Sequence, residues 1–230
     1  MKIAIVGHGF VGKALENGLR DNVKALIIDP IYNNNISNLS NFSPNIIFLC
    51  LPTPMYEDGS QDISIVSKVI DEIKKLKLNS TIVLKSTILP NHIEKILSNN
   101  LNIVVNPEFL TEKNALQDFI DSDLIILGGK EKFTSFVASF YKNNTLCKTE
   151  EYIFTDEISA AMLKYTVNTF LATKVIFFNE LHDLFKNSGS KENWKNFISA
   201  ISKDSRIGSS HMQVPGPDGR YGFGGACFPK

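Results

Sequence analysis

The sequence predicts an α/β protein in which a doubly wound parallel sheet is followed by a smaller helical domain. Two observations carry this prediction. Short apolar, β-branched runs alternate with amphipathic stretches over most of the chain, the pattern expected of βαβ units. Near residue 150 the strand signals nearly stop, and a long helical pattern and then a glycine- and proline-dense segment take over.

The runs at residues 3–6, 25–28, 46–51, 81–84, 103–105 and 124–127 read as strands. Between them, residues 12–19, 65–76, 92–97 and 133–141 place apolar side chains at helical spacing and are expected to cover the sheet faces. Thr155 is positioned to cap a helix whose first turn carries Asp156 and Glu157, favourable at the positive end of the dipole, and the pattern continues to about Lys186. A shorter helix is expected over 192–202. The boundary between a sheet domain (1–150) and a helical domain (151–230) is therefore set near residue 150. Residues 208–225 form a loop that a compact domain does not keep without a use for it. Within it, Gly208 to Met212 looks like an expression-tag remnant, but it continues a readable motif and is taken as part of the protein.

Composition excludes several classes of function. Of 230 residues, 43% are hydrophobic and 21% charged, and the formal net charge is zero, so neither nucleic acid nor an anionic membrane is an expected partner. No apolar run approaches the roughly 18 residues of a membrane span, and Met1 leads directly into a strand in place of a cleavable leader, so a cytoplasmic location is expected. The three cysteines, Cys50, Cys147 and Cys227, lack metal-ligand spacing, and no metal site is expected.

The string GHGFVG follows the first strand and opens a helix, the context that a G-x-G-x-x-G fingerprint requires. Gly7 makes the tight turn, Gly9 admits a pyrophosphate to the backbone, Gly12 lets the helix pack on the strand with its N-terminus toward the phosphates, and Phe10 and Val11 between the glycines are counted among the cofactor contacts. Asp29, at the end of the second strand, is placed to accept hydrogen bonds from a ribose 2′-hydroxyl. The fold is thus read as Rossmann-type and the cofactor as NAD, not NADP. A glycine turn followed by a surface aspartate is the plain alternative.

Three further motifs follow predicted strands: Pro52-Thr53-Pro54, Ser86-Thr87 and Asn106-Pro107-Glu108. Turns at the carboxyl ends of parallel strands open onto the ligand crevice, so these should converge on the cofactor, Thr53 and Thr87 through hydroxyls, Glu108 or Glu112 through a carboxylate. Taken singly, each also reads as ordinary turn chemistry. On the long helix Lys164 and Asn168 lie one turn apart on an otherwise apolar stripe. A lysine there must snorkel, pair or do chemistry, and composition alone favours snorkelling. Cys227 sits in GFGGACFPK, where Gly222, Gly224 and Gly225 leave the thiol uncrowded and expose N–H groups suited to an oxyanion. Lys230, and Lys164 if it faces the thiol, would favour the thiolate. Cys50 and, less surely, Cys147 read as inert buried thiols.

Taken together, GHGFVG, LPTP, KSTILP, NPEFL, KYTVNTFLATKVIFFNE, DSRIG and GFGGACFPK, in that order over nearly the whole chain, resemble the UDP-glucose and GDP-mannose dehydrogenases. These are NAD-dependent enzymes that oxidise a nucleotide-sugar primary alcohol to a carboxylate in two hydride transfers. The resemblance implies Cys227 as nucleophile, Lys164 and Asn168 as holders of the oxyanion, and Thr87 with Glu108 around a water. It also implies Glu108, Phe109, Leu110, Lys164, Asn168, Arg206, Tyr221 and Gly224 at the sugar, and Glu112 and Lys230 among the cofactor contacts. A homodimer through the long helix near residues 156–186 is implied, with Arg206 reaching the neighbouring subunit's sugar. UDP-glucose is the first-choice substrate, with GDP-mannose or a UDP-N-acetylhexosamine as alternatives. Between Asp29 and the third strand the chain is shorter than usual members, implying a trimmed adenosine side. Members also continue beyond the position of Lys230 with an aspartate and a third domain over the nucleotide, so the chain is expected to lack the C-terminal nucleotide-binding domain. Two competing readings are an NAD-binding dimeric module without turnover and a dehydrogenase of small hydroxy acids, which has no use for Cys227.

Overall fold

The computed structural model describes residues 1–98 and 101–224. Seven strands form one sheet: β1 (Lys2–Val6), β2 (Lys24–Ile28), β3 (Ile46–Leu49), β4 (Thr81–Leu84), β5 (Ile103–Val105), β6 (Ile125–Gly128) and β7 (Tyr152–Thr155), in the order β2-β1-β3-β4-β5-β6-β7. The chain leaves β1 toward β2 on one side and returns to β3 on the other. That reversal is the topological switch point where a doubly wound sheet opens a ligand crevice.

Strands β3 and β4 are buried at every position, because helices cover both faces, which is why they read as continuous apolar runs. Alternation sorts their side chains between two cores. Ala4, Val6, Ile47, Leu49, Ile82 and Leu84 face one way, onto α2 (Asn38–Phe42), α3 (Ser64–Lys75) and α4 (Pro90–Leu97), which contribute Leu39, then Val66, Ile70 and Ile73, then Ile93 and Ile96. Ile3, Ile5, Ile46, Phe48 and Val83 face the other, onto α1 (Phe10–Asn17), α5 (Ala115–Ile120) and α6 (Glu131–Asn144) through Ala14, Leu15, Phe119, Val137, Phe140 and Tyr141. Pro90 starts α4 at a position whose missing N–H costs nothing.

The sheet departs from the all-parallel expectation at one place. β5 and β6 pair antiparallel, and β6 and β7 are parallel to each other, so the last two strands run opposite to the first five. A parallel connection needs a crossover helix that returns the chain along the sheet. Between β5 and β6 the chain has only a 3-10 turn (Glu112–Asn114) and the six-residue α5. Helix length does not decide this, because the five-residue α2 lies between β2 and β3 and those strands remain parallel. Instead α5 packs on α1, and the chain enters β6 without having returned along the sheet. The fourteen-residue α6 does make the return, and β7, a strand absent from the expected set, is the result. The short helices α2 and α5 were also not expected.

The helix α7 (Glu157–Asn187) begins at Asp156, not at Thr155 as expected: the Asp156 carboxylate accepts from the Ser159 backbone N–H at 2.8 Å and from its hydroxyl at 2.6 Å. Asp156 directly follows the edge strand and its carboxylate reaches the helical N–H of Ser159, while Thr155 is still paired in β7. The helix α8 (Trp194–Ile201) is capped by Asn193, whose side chain accepts from Asn196 N–H.

Contacts divide the chain into two compact units, Met1–Lys164 and Tyr165 onward. The first holds both cores. The second has a small core of its own, with Phe178, Met212 and Val214 buried and Leu181, Trp194, Ile198 and Ile201 packed on them. Met212, within the stretch that looks like a tag remnant, is therefore a structural residue. Among the described residues no helix is long and apolar enough to cross a membrane.

Candidate active site

The glycine turn is built by backbone constraints. Gly7 has φ +93°, and a Cβ there would lie 2.3 Å from the Cys50 carbonyl oxygen; a Cβ on Gly12 would lie 2.2 Å from the Gly7 oxygen. Those two glycines are required by the protein's own packing. Gly9 is not, since a Cβ there would meet nothing within 4 Å. The open space lies at the N-terminus of α1, whose cap has no side-chain hydrogen bond and whose first turn has no acid, leaving N–H groups and the positive dipole end unanswered. An open approach to uncompensated donors fits a pyrophosphate, so the residues present suit the dinucleotide that the fingerprint implies.

Asp29 is half-buried at the end of β2, beside this turn. Its carboxylate accepts from His8 N–H at 2.7 Å and from Ile31 N–H at 3.1 Å. Each oxygen keeps a lone pair for a ribose hydroxyl.

The turns after β3 and β4 are latched together. Ser86 Oγ accepts from Leu51 N–H (2.8 Å), and the Thr53 hydroxyl donates to the Thr87 carbonyl (2.8 Å). Gln61 Nε2 donates to that same carbonyl (2.9 Å), while its Oε1 accepts from Leu89 N–H (2.9 Å). The Thr53 hydroxyl, expected to face the cofactor, here joins the two turns. Gln61 was missed because nothing local marks it.

Beneath these turns lies a buried polar group. Lys85 Nζ donates to Asn106 Oδ1 (3.1 Å) and to the Tyr141 hydroxyl (3.2 Å), Tyr141 donates to Asn106 Oδ1 (2.6 Å), and Asn106 Nδ2 donates to the Ile126 carbonyl (2.9 Å). Burial lowers the Lys85 pKa. Burial also pushes the Cys50 thiol up to about 12, against the partial pull of the Lys85 charge, and raises Cys147. Both thiols are therefore protonated and unreactive near neutrality.

After β5, Asn106 leads into Glu108, which is buried, with its Oε2 accepting from Leu110 N–H at 2.6 Å. Lys164 comes to it from α7: its ammonium donates to the Glu108 carbonyl oxygen, lies 3.4 Å from Oε1, and sits 4.9 Å above the centre of the Phe109 ring. Lys164 is 5% exposed and does not snorkel, contrary to what composition favoured. Buried charge of this kind persists only when paired and hydrogen-bonded. Leu110 is buried, Phe109 partly exposed, and Glu112 exposed on the 3-10 turn. Phe10 and Val11 are half-buried at the start of α1.

The second unit holds the remaining expected residues. Asn168 is half-buried on α7. Arg206 is exposed and bound to Asp204 through Nε (2.9 Å) and Nη2 (2.6 Å), which raises the guanidinium pKa. Tyr221 lies 5.9 Å from the His182 ring and under Lys186, and the next residue, Gly222, donates its N–H to Asn179 Oδ1 at 3.0 Å. Space around Gly224 is open. Cys227 and Lys230 lie outside the described residues. Among the described residues no cluster of His, Cys, Asp and Glu could hold a metal.

A glycine turn at the switch point of a mainly parallel sheet, with an acid after β2, defines a dinucleotide-binding α/β protein. The chain belongs to the UDP-glucose/GDP-mannose dehydrogenase family: it matches that family's NAD binding domain over residues 13–145 and its central domain over residues 158–230. It is 35% identical over 191 residues to a UDP-glucose 6-dehydrogenase of Rickettsia bellii, covering 80% of this chain and 42% of that protein. It is 32% identical over 207 residues to that of Rickettsia felis, covering 87% and 44%. The chain thus spans less than half the length of these relatives. Among solved structures, a UDP-glucose dehydrogenase from Pyrobaculum islandicum shares the fold with a TM-score of 0.78 at 24% identity, covering 99% of this chain and 61% of that one.

Proposed function

We propose that the chain is the cofactor-binding and central portion of an NAD-dependent nucleotide-sugar 6-dehydrogenase, with UDP-glucose as its substrate and the cytoplasm as its location. The single observation that carries this reading is the buried Lys164–Glu108 pair just after β5, since a desolvated ammonium held in place by its partners is suited to hold an oxyanion. When bound, the dinucleotide supplies the hydride acceptor. Gly7, Gly9 and Gly12 with the α1 N-terminus hold its pyrophosphate, and Asp29 its adenosine ribose.

In this reading the proton of the C6 alcohol passes to a water held near Thr87 and Glu108, while Lys164 steadies the alkoxide. Loss of the first hydride from C6 to the bound dinucleotide leaves the aldehyde, to whose carbon the Cys227 thiolate adds, and Lys164 and Asn168 hold the resulting oxyanion. Departure of the second hydride, to a second molecule of the dinucleotide, leaves a thioester. Water, losing its proton toward Glu108, cleaves the carbon–sulfur bond and returns the thiol. Arg206, Tyr221 and Gly224 contact the sugar nucleotide, and residues 1–150 and 151–230 act as cofactor and central domains. The helix α7 forms a homodimer interface, supported by the exposure of Met162, Phe170, Phe177 and Leu184, an apolar surface that a solvated helix does not keep.

The test is NADH formed per sugar, with UDP-glucose, GDP-mannose and a UDP-N-acetylhexosamine offered in parallel to wild type and Cys227→Ser. Two equivalents from UDP-glucose, with the variant stalling at the aldehyde, is the expected result. Preference for another sugar reassigns the substrate. NADH formation unaffected by the substitution removes Cys227 from the mechanism, and cofactor binding with no NADH from any sugar leaves a binding module.

A further inference from the structure

The segment after β2 presents a problem that the sheet does not solve. β2 is the edge strand, so the turn from Asp29 to Asn35 has no neighbouring strand to hold it. Yet this turn carries the acid that would meet the adenosine ribose, and next to it Ile31 and Tyr32 expose 70% and 42% of their surface.

His8 supplies the missing support. It occupies the first variable position of the fingerprint, and 8% of it is exposed. Its backbone N–H donates to Asp29. Both ring nitrogens are engaged, Nε2 with the Glu16 carboxylate on α1 at 2.6 Å and Nδ1 with the Tyr32 hydroxyl at 3.0 Å. The Tyr32 ring stands edge-on to the imidazole, with centroids 5.5 Å apart. One residue therefore joins the glycine turn, α1 and the unsupported turn. Glu16 sits in the last turn of its helix, where a carboxylate opposes the dipole, and its bond to His8 is what offsets that placement. A second tie, Asn34 Nδ2 to the Ile27 carbonyl at 3.0 Å, folds the same turn back on the edge strand.

We propose that His8 is a positioning residue for the adenosine half of the dinucleotide, clamping Tyr32 and Asp29 into a preformed wall in place of the support that an additional strand would provide. This rests on the NAD-binding reading. It accounts for how a turn off the edge strand is held in place: His8 and Tyr32 tie it to the glycine turn and Asn34 ties it to β2.

The test measures binding of NAD⁺ and of ADP-ribose, which lacks the nicotinamide ring, by calorimetry on the full chain, together with amide hydrogen exchange over residues 30–35 without nucleotide. Tyr32→Phe keeps the ring and removes one hydrogen bond, so both affinities should fall by the same factor, about threefold, with faster exchange in the turn. His8→Ala removes both side-chain bonds and should weaken both ligands about tenfold. Loss of NAD⁺ affinity with ADP-ribose affinity retained would place the effect at the nicotinamide end and overturn the clamp. So would a Tyr32→Phe protein with unchanged affinity and exchange, even if His8→Ala failed to fold. Wild-type protein that binds neither ligand would sink the NAD reading itself, a separate outcome.

Discussion

The two compact units solve the problem of stability differently. In the unit ending at Lys164, the central strands bury both faces and their alternate residues enter separate cores, so Ile3, Ile46, Ile47, Phe48 and Leu49 are fully inaccessible. Among the described residues of the unit that follows, Phe178, Met212 and Val214 form the buried core, while Phe170, Phe177 and Leu184 expose 60% or more of their surface. The first unit also exposes large apolar side chains, Ile31, Met55, Tyr56 and Phe154 among them, but they belong to separate turns and to the edge strand β7. In the second unit Phe170, Phe177 and Leu184 lie along one helix, the observation behind the proposed homodimer interface.

This contrast can be broken most directly in the cores. Phe48→Ala should cost about 3–5 kcal/mol, because its neighbours Phe140 and Tyr141 are themselves locked between sheet and helix and cannot collapse into the space. Phe170→Ala should leave the folding free energy of the monomer within about 0.5 kcal/mol. Urea unfolding at low protein concentration measures both, and a comparable loss in the two variants would erase the distinction.

Next in size is the charge at the edge of the first unit. Lys164→Ala should lower turnover about a hundred- to thousandfold while NAD⁺ affinity, read by calorimetry, is retained. A drop in melting temperature with turnover intact would make Lys164 a structural partner of Glu108 only.

Alkaline pH tests the buried polar group. The Cys50 thiol is raised from 9.0 to about 12 in the folded protein, so folding retains a proton that the unfolded chain releases. Its contribution is fully present below pH 9 and is lost as pH rises from 9 toward 12. Lys85 acts with the opposite sign: its lowered folded pKa makes stability rise with pH as the unfolded chain, titrating near 10.5, remains the more protonated state. Cys50→Ala should therefore show a smaller loss of melting temperature between pH 9 and 11 than wild type. An equal loss would assign the alkaline transition to other groups.

The smallest effect concerns the start of α7. Asp156→Ala should destabilise the protein by about 1 kcal/mol and Thr155→Ala by much less, since Asp156 alone holds the Ser159 N–H. Chemical denaturation of the two variants distinguishes the caps, and the reverse ranking would restore Thr155.

Much of the cofactor side was legible because it is local. The glycine turn needs Gly7 at positive φ and Gly12 beneath the Gly7 carbonyl, and both demands act within a few residues of chain. Strands buried on two faces announce themselves as unbroken apolar runs. Lys164 stood out as an interruption of an apolar stripe, but whether it would snorkel or pair depended on Glu108, remote in sequence and brought to it by β5 and α7. Gln61, Lys85 and Tyr141 carried no local signal, since their partners come from other strands and helices.

The amino-acid sequence by itself determined the dinucleotide turn, the strand and helix alternation and the family, because each rests on short-range patterns of residue type. Only the tertiary structure decided the reversed direction of β6 and β7, the burial of Lys164 against Glu108 and the joining of His8 to Tyr32 and Glu16. Strand direction depends on whether the intervening segment runs back along the sheet before the next strand begins, which is set by what that segment packs against. A side chain's role as pair or clamp depends on which distant group packing brings within hydrogen-bond reach.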